Sequence, residues 1–271
     1  MKANKQLYKA MAQPWAIRPA SMAVMMDATV YAETIELPLP EEKPDVPYDL
    51  QDGVAVISVS GVIGKGIPKI IAQMFGMVDV DEIGVAVKAA NADPAVKSIM
   101  LDIDSPGGTV TGVPEVAQAI RDSVKPTYAF TDNLMASAAY WLAAGASGVF
   151  ASESALVGSI GVFIPMMDMR RAYEMAGLEM EVIKTGTYKA AGYPGTSLTD
   201  EQRADLQASV NHLFGKFAGF VGSRIGADGA PDEDSMQGQD FYGDQALSAG
   251  LVDGITSRGA LMGLLKKLQE Y

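Results

Sequence analysis

Cysteine is absent from all 271 positions, and histidine occurs once, as His212. Without thiols there can be no disulfide, no thiolate nucleophile and no Cys-based metal site. A single imidazole excludes a histidine metal cluster and leaves any Ser-His-Asp mechanism one candidate base. Positive charge is scarce as well: 21 Lys and Arg face 33 Asp and Glu, for a formal charge of −12. Unspecific nucleic-acid binding needs basic surface to displace counterions, so no nucleic-acid partner is expected. Anionic lipid is disfavoured as the main partner for the same reason. Long apolar runs are missing too. The basic start is followed by no uninterrupted apolar segment of the secretory type. No window holds 18 uncharged apolar residues, so no membrane anchor is expected. The least polar stretch, Ala136 to Met167, is broken by Ser, Gly and Glu153 and reads as the buried core of a soluble protein.

What remains is an ordinary globular balance, 48% hydrophobic and 20% charged, near the upper length of a single domain. Residues 1–47 read as an N-terminal arm. It has a short amphipathic segment around Trp15 to Ala28, then the acidic, proline-rich run Leu37 to Pro47, which can continue neither a helix nor a central strand. Residues 48–271 form the main domain. Strand-like Val54–Ser60, Val96–Ile103 and Thr127–Phe130 alternate with helix-like Asp81–Ala92, Pro114–Ser123 and Ser137–Ala146. Repeated strand–helix units imply parallel strands joined by right-handed crossovers, an α/β fold. Beyond Lys189 the chain turns mostly helical. A helix from Thr199 to about Ile225 carries Leu206, Val210, Leu213, Phe217 and Val221 on one face. A short helix Asp244–Ala249, a last strand Leu251–Ile255 and a helical tail follow.

Four segments could carry chemistry. Asp104-Ser-Pro-Gly-Gly-Thr109 lies at a strand's carboxyl end, where α/β sheets build their sites. Its paired glycines could present free amides to an oxyanion, or merely make a tight turn. Ser137 enters an Ala-rich helix, where a serine is either an activated hydroxyl or a routine cap. Val182 to Gly192 reads as a strand running into a Gly-Thr-Tyr-Lys turn ending at Lys189. A lysine acts as general base only if its pKa falls from about 10.4 to roughly 7–8, which requires withdrawal from water; otherwise it is a solvated surface residue. Ala155 to Phe163 reads as an apolar strand with Ser159 embedded, placed either to position the lysine or to satisfy a backbone group.

Taken in order, Asp104-Ser-Pro-Gly-Gly108, Ala136-Ser-Ala-Ala-Tyr-Trp141, Gly158-Ser-Ile-Gly161, Lys184-Thr-Gly-Thr-Tyr-Lys189 and Phe241 to Asp253 resemble the signal peptide peptidase A (SppA) family of serine peptidases over roughly residues 50 to 257. The resemblance implies the Clp protease/crotonase-like fold, a Ser-Lys dyad and assembly into homo-oligomeric rings. It implies Ser137 as nucleophile, Lys189 as general base and Ser159 as its hydrogen-bonding neighbour. The oxyanion hole would comprise the amides of Gly108 and Ala138, with Gly107 beside them. An extended substrate would add as a strand against Thr109 and Val110 on one side and Ile160, Gly161 and Val162 on the other. No metal and no cofactor is required. Ala138-Ala139 stand where membrane-anchored members carry Gly-Gly. The phage head-maturation branch tolerates Ala-Ala, and its arm commonly carries a segment like Pro14-Trp-Ala-Ile17. That branch implies an ATP-independent endopeptidase cleaving capsid or scaffold proteins in the bacterial cytoplasm, within the prohead.

Three rival readings stay open. One is a catalytically silent assembly subunit on the same fold; another is a signal-peptide-type peptidase with host substrates. The third is an enoyl-CoA hydratase or isomerase, which shares the paired-amide hole but normally moves protons with carboxylates. His212, mid-helix with no acidic partner evident nearby, is the competing base.

Overall fold

A computed structural model describes residues 14–17, 21–22, 46–68, 71–72, 75–224, 231 and 233–268. Thirteen strands are described: β1 Trp15–Ile17, β2 Asp49–Gln51, β3 Val54–Ser60, β4 Val62–Gly64, β5 Met77–Asp79, β6 Ser98–Asp104, β7 Gly107–Thr109, β8 Thr127–Thr131, β9 Leu134–Ala136, β10 Gly148–Ala151, β11 Leu156–Gly158, β12 Asp240–Tyr242 and β13 Gly254–Ile255. The helices among them are α1 Val80–Ala92, α2 Val113–Arg121, α3 Ala138–Ala143, α4 Arg170–Met175, α5 Asp200–Gly222, α6 Gly243–Ser248 and α7 Arg258–Lys267.

The main sheet has the order β13-β10-β8-β6-β3-β2, parallel except at β2. Near-continuous apolar runs in β3 and β6 fit strands covered on both faces. The period-two alternation shows which cover meets which residue. Ala55, Ile57, Val59, Ile99, Leu101 and Ile103 face the large core that includes Ile83, Val87, Val116, Ile120 and the whole of α3. Val54, Val56, Met100 and Phe130 face Leu261 and Leu265 of α7. The α/β expectation of strand–helix repeats with a helical C-terminal part is met.

Two smaller sheets sit at the carboxyl ends of the main strands. One has the order β1-β7-β4-β5, the other β12-β11-β9. β6 leads into β7 through the Ser-Pro turn, and β8 leads into β9. An isolated bridge from Ser105 to Met135 joins the β6–β7 turn to β9. The chain thus leaves each central strand at one end of the sheet and is caught there by a second ladder.

Several expected elements are shorter or absent. The strand expected at Val182 to Lys184 is irregular backbone with Ile183 exposed, because no neighbouring strand pairs with it. The strand expected over Ala155–Phe163 stops at Gly158, where positive φ at Gly158 and Ser159 turns the backbone; Phe163 then returns to pair in a bridge. The Ala-rich helix covers only Ala138–Ala143 of the expected 137–146, and the last strand only Gly254–Ile255. On α5, Phe217 and Val221 are buried, whereas Leu206, Val210 and Leu213 are half-buried. The expected core stretch holds as far as Ile160, beyond which the chain leaves the interior. The proline-rich run falls outside the described residues except at Val46 and Pro47.

Candidate active site

Ser137 occupies the N-cap position of α3 with φ 56° and ψ −120°, a backbone conformation that glycine adopts freely and serine does not. Holding a non-glycine residue there costs on the order of 1–3 kcal/mol, so the surroundings must over-determine it. They do: its N–H donates to the Gly158 carbonyl at 2.7 Å, and its carbonyl accepts from Trp141 N–H at 2.9 Å. The ordinary alternative for such a serine is side-chain capping of the helix. That role is refuted, since its hydroxyl caps nothing. The residue is 1% exposed, and Oγ has no hydrogen-bond partner among the described residues. A buried hydroxyl left without a partner is costly and calls for an explanation.

The Asp104–Thr109 turn is clamped against this serine. Ser105 N–H donates to the Leu134 carbonyl at 2.8 Å, and Ala136 N–H returns a bond to the Ser105 carbonyl at 3.1 Å. Ser105 Oγ donates to the Gly61 carbonyl at 2.6 Å and accepts from Gly107 N–H at 3.2 Å. Asn133 Nδ2 donates to Asp104 at 2.8 Å. Sequence reasoning missed Ser105; the signal available was a small hydroxyl residue two positions before a glycine that needs a fixed amide. Both glycines are sterically required. A Cβ on Gly108 would lie 1.8 Å from the Ile63 carbonyl oxygen. A Cβ on Gly107, which has φ +93°, would lie 2.9 Å from the Ala138 nitrogen, 2.9 Å from the Ala136 oxygen and 2.3 Å from the Ala16 oxygen. Gly107, Ala138 and the nucleophile turn therefore meet at one point, with Gly108 next in the strand. Backbone amides aimed at a developing oxyanion stabilise it, and the turn brings the backbone of Gly107, Gly108 and Ala138 close to the residue whose hydroxyl is buried.

Ser159 is buried with φ 51°, its N–H donating to the Gln239 carbonyl at 2.7 Å. β1 runs along Thr109–Val110, one of the two edges expected to hold substrate, and bridges to Phe163, the residue after the other, Ile160–Val162. Trp15 and Phe163 exchange both backbone hydrogen bonds at 3.0 Å, and Val110 N–H donates to the Pro14 carbonyl at 3.4 Å.

Behind Ser137 the packing is dense. Trp141 stacks on Phe217 of α5, with centroids 4.4 Å apart and planes 3° from parallel. Tyr140 donates its hydroxyl to the Leu251 carbonyl at 2.7 Å, and burial pushes that phenol well above its ordinary range. Arg224 forms a two-pronged ion pair with Asp253 at 2.8 and 3.0 Å, and Asp253 also accepts from Val149 N–H.

Lys189 is exposed, on irregular backbone before Ala190 with φ 66°, and no hydrogen bond or ion pair joins its side chain to Ser137 or Ser159. Its turn is nevertheless anchored. Gln202, buried in the first turn of α5, forms a capping box with Thr199 and donates Nε2 to the Thr187 carbonyl at 2.7 Å, while Lys184 reaches the same carbonyl at 3.0 Å. His212 is exposed on α5. Among the described residues there is no cluster of three acidic or histidine side chains fit for a metal, and no helix is long and apolar enough to cross a membrane.

Comparison with known proteins bears on the family of the chain. The chain is 32% identical over 209 residues to the capsid assembly protease C of Escherichia phage lambda, covering 76% of this chain and 47% of that protein. It is 30% identical over 236 residues to the head-tail preconnector protein GP5 of Enterobacteria phage P21, covering 85% and 46%. With a putative signal peptide peptidase SppA of Enterococcus faecium it shares 30% identity over 183 residues, covering 66% and 53%. The chain thus spans about half the length of these relatives. A solved enoyl-CoA hydratase/isomerase family member is similar at 17% identity and a TM-score of 0.44, covering 82% of this chain and 74% of that one, too distant to carry a functional argument. The pattern of Peptidase family S49 matches residues 119–271, more than half of the sequence and inclusive of Ser137, Ser159 and Lys189, and the chain belongs to that family.

Proposed function

We propose that the protein is an ATP-independent serine endopeptidase in which Ser137 attacks the peptide carbonyl and Lys189 acts as general base, with capsid or scaffold proteins of an assembling phage head as substrates. One observation carries the reading: a buried serine in strained backbone withholds its hydroxyl from the capping role its position offers, beside the Gly107, Gly108 and Ala138 backbone. Ser137 Oγ adds to the substrate carbonyl, and its proton passes to Lys189. The oxyanion rests on the Gly108 and Ala138 amides. Lys189 protonates the departing amine and then activates the water that hydrolyses the ester. The name of the lambda relative, a capsid assembly protease, supports this substrate class and a site of action within the prohead, in the bacterial cytoplasm.

A lysine becomes a base only when withdrawn from water. The segment bearing Lys189 supplies a means. Met166, Met167, Met175, Leu178, Met180, Ile183, Tyr188 and Tyr193 are all exposed, Ile183 by 95%, and α4 buries no residue at all. Exposed apolar side chains concentrated in one segment are the kind of surface that marks a protein interface. It supports a homo-oligomeric ring in which a neighbouring copy covers the segment and Lys189 comes to face a Ser137.

Cleavage of a fluorogenic peptide by the native chain, lost on Ser137→Ala and on Lys189→Ala with folding intact, is the expected result. Equal cleavage by either variant would sink the assignment. Within one chain Lys189 and Ser137 share no bond, and this favours, as the second reading, an assembly subunit without activity. That reading takes over if the assembled native protein cleaves nothing.

A further inference from the structure

We infer that the groove beside Ser137 is a peptide-binding site whose resident ligand is the chain's own segment Pro14–Ile17, and that the site selects extended segments carrying a small residue between two bulky apolar ones. The inference rests on the peptidase reading only for the identity of the groove; the seating of the segment stands on its own contacts.

β1 lies antiparallel to β7, with Trp15 opposite Thr109, Ala16 opposite Gly108 and Ile17 opposite Gly107. Antiparallel ladders alternate between residue pairs that exchange hydrogen bonds and pairs that do not. Since Val110 N–H donates to Pro14, the next exchanging pair is Ala16 with Gly108, which aims the Gly108 amide at the Ala16 carbonyl. That carbonyl and the Ala138 nitrogen approach the same point above Gly107, at 2.3 and 2.9 Å. The carbonyl of Ala16 therefore stands where a reacting carbonyl would meet the amides beside the nucleophile. Trp15, one residue earlier, bonds across to Phe163 on the opposite wall. Pro14 and Ala16 read one edge and Trp15 the other, which is how a substrate strand is gripped from both sides.

The side chains explain selectivity. Ala16 is fully buried and packs into the main core. Trp15 and Ile17 point to the other face, where they cluster with Met22 and Val62 against Met77 and Phe163. A large side chain at the middle position would have to enter a close-packed interior, whereas the flanking positions reward bulk. Any substrate must displace this strand, so Pro14–Ile17 holds the groove closed until a competing segment or assembly removes it.

The test uses the full chain in the Ser137→Ala background and reads amide hydrogen exchange at Val110 and Phe163, whose N–H groups donate to the arm. Trp15→Ala with Ile17→Asp is expected to speed exchange at both by more than about tenfold, the factor that about 1.4 kcal/mol of docking free energy gives. The acetylated peptide Gln-Pro-Trp-Ala-Ile-Arg should restore the slow rate, and the same peptide with Phe in place of Ala should not. Unchanged exchange in the loosened variant, or equal protection by both peptides, would overturn the inference. Should the double variant fail to fold, Ile17→Asp alone is read in the same way. With Ser137 intact, the loosened variant should react faster with a fluorophosphonate than the native chain. If no chain reacts while the exchange pattern holds, the peptidase reading falls and the groove assignment stands.

Discussion

The two halves of the proposed dyad sit in opposite kinds of structure. Ser137 sits where two small sheets meet, beside two glycines that tolerate no side chain and a helix whose every residue is buried. Lys189 lies on irregular backbone in a stretch from Gly161 to Leu198 whose only helix buries nothing. A single chain can pre-organise the hydroxyl and the amides proposed for the oxyanion because their positions follow from strand ends packed against one core. It cannot keep a lysine out of water with a segment that has no cover of its own. The contrast suggests a division of labour, in which the fold prepares the nucleophile and assembly activates it.

The comparison can be broken most severely at the lysine's side. Ile183→Asp places a charge on an exposed residue, so the isolated chain should keep its stability to within about 0.5 kcal/mol. Activity and oligomer should both disappear, as read by sedimentation and peptide cleavage; a variant that stays active as a monomer would show the segment is not an interface. On the serine's side the sign reverses. Arg224→Ala leaves Asp253 without its partner in a largely buried pair, and a loss of about 3–5 kcal/mol is expected in denaturant unfolding. A change below 1 kcal/mol, an amount roughly that of a surface pair, would mean the ion pair is not a structural brace.

Smaller effects sharpen the picture. Ser137→Gly should be inactive yet more stable than Ser137→Ala by about 1–2 kcal/mol, because glycine relieves the positive φ that alanine retains. Equal stabilities would show that the turn stores no strain. Away from the site, Tyr48 donates its hydroxyl to Asp93 at 2.7 Å, which with the Ala95 amide holds that carboxyl below its usual range, while the same bond and then burial push the phenol up to about 12. The lowered carboxyl contributes stability above its unfolded pKa near 3.9 that is lost as pH falls through the folded value. The raised phenol contributes below its unfolded value near 10, and this is lost as pH rises through about 12. Tyr48→Phe should therefore lower the melting temperature at pH 7, with the gap to the native chain narrowing below pH 4. A gap that is the same at pH 3 and pH 7 would remove the bond from the account.

Much of the nucleophile side was legible in the sequence, because it is built from local signals. Val54–Ser60 and Val96–Ile103 are apolar runs of strand length, and Pro-Gly-Gly punctuates a strand end. Ser137 opens a helix of alanines and large apolar residues that packs only against a core. What escaped notice depends on partners distant in sequence. Val182–Lys184 is apolar and β-branched enough to read as a strand, but no neighbour pairs with it. Ala155–Phe163 reads as one strand until the turn at Gly158 and Ser159 divides it. Trp15–Ile17 looked like part of a separate arm, because three residues carry no signal of a ladder whose other edges are some 90 and 150 positions away. Ser105 was passed over inside a motif valued for its glycines, although its hydroxyl fixes the Gly107 amide.

The most direct test of the central claim is mass mapping of a fluorophosphonate adduct on the native chain over a range of protein concentrations. The account predicts that Ser137 carries the label, that the rate climbs with concentration, and that Lys189→Ala and Ile183→Asp both abolish it. Labelling at a rate independent of concentration, and equally fast in Lys189→Ala, would contradict it.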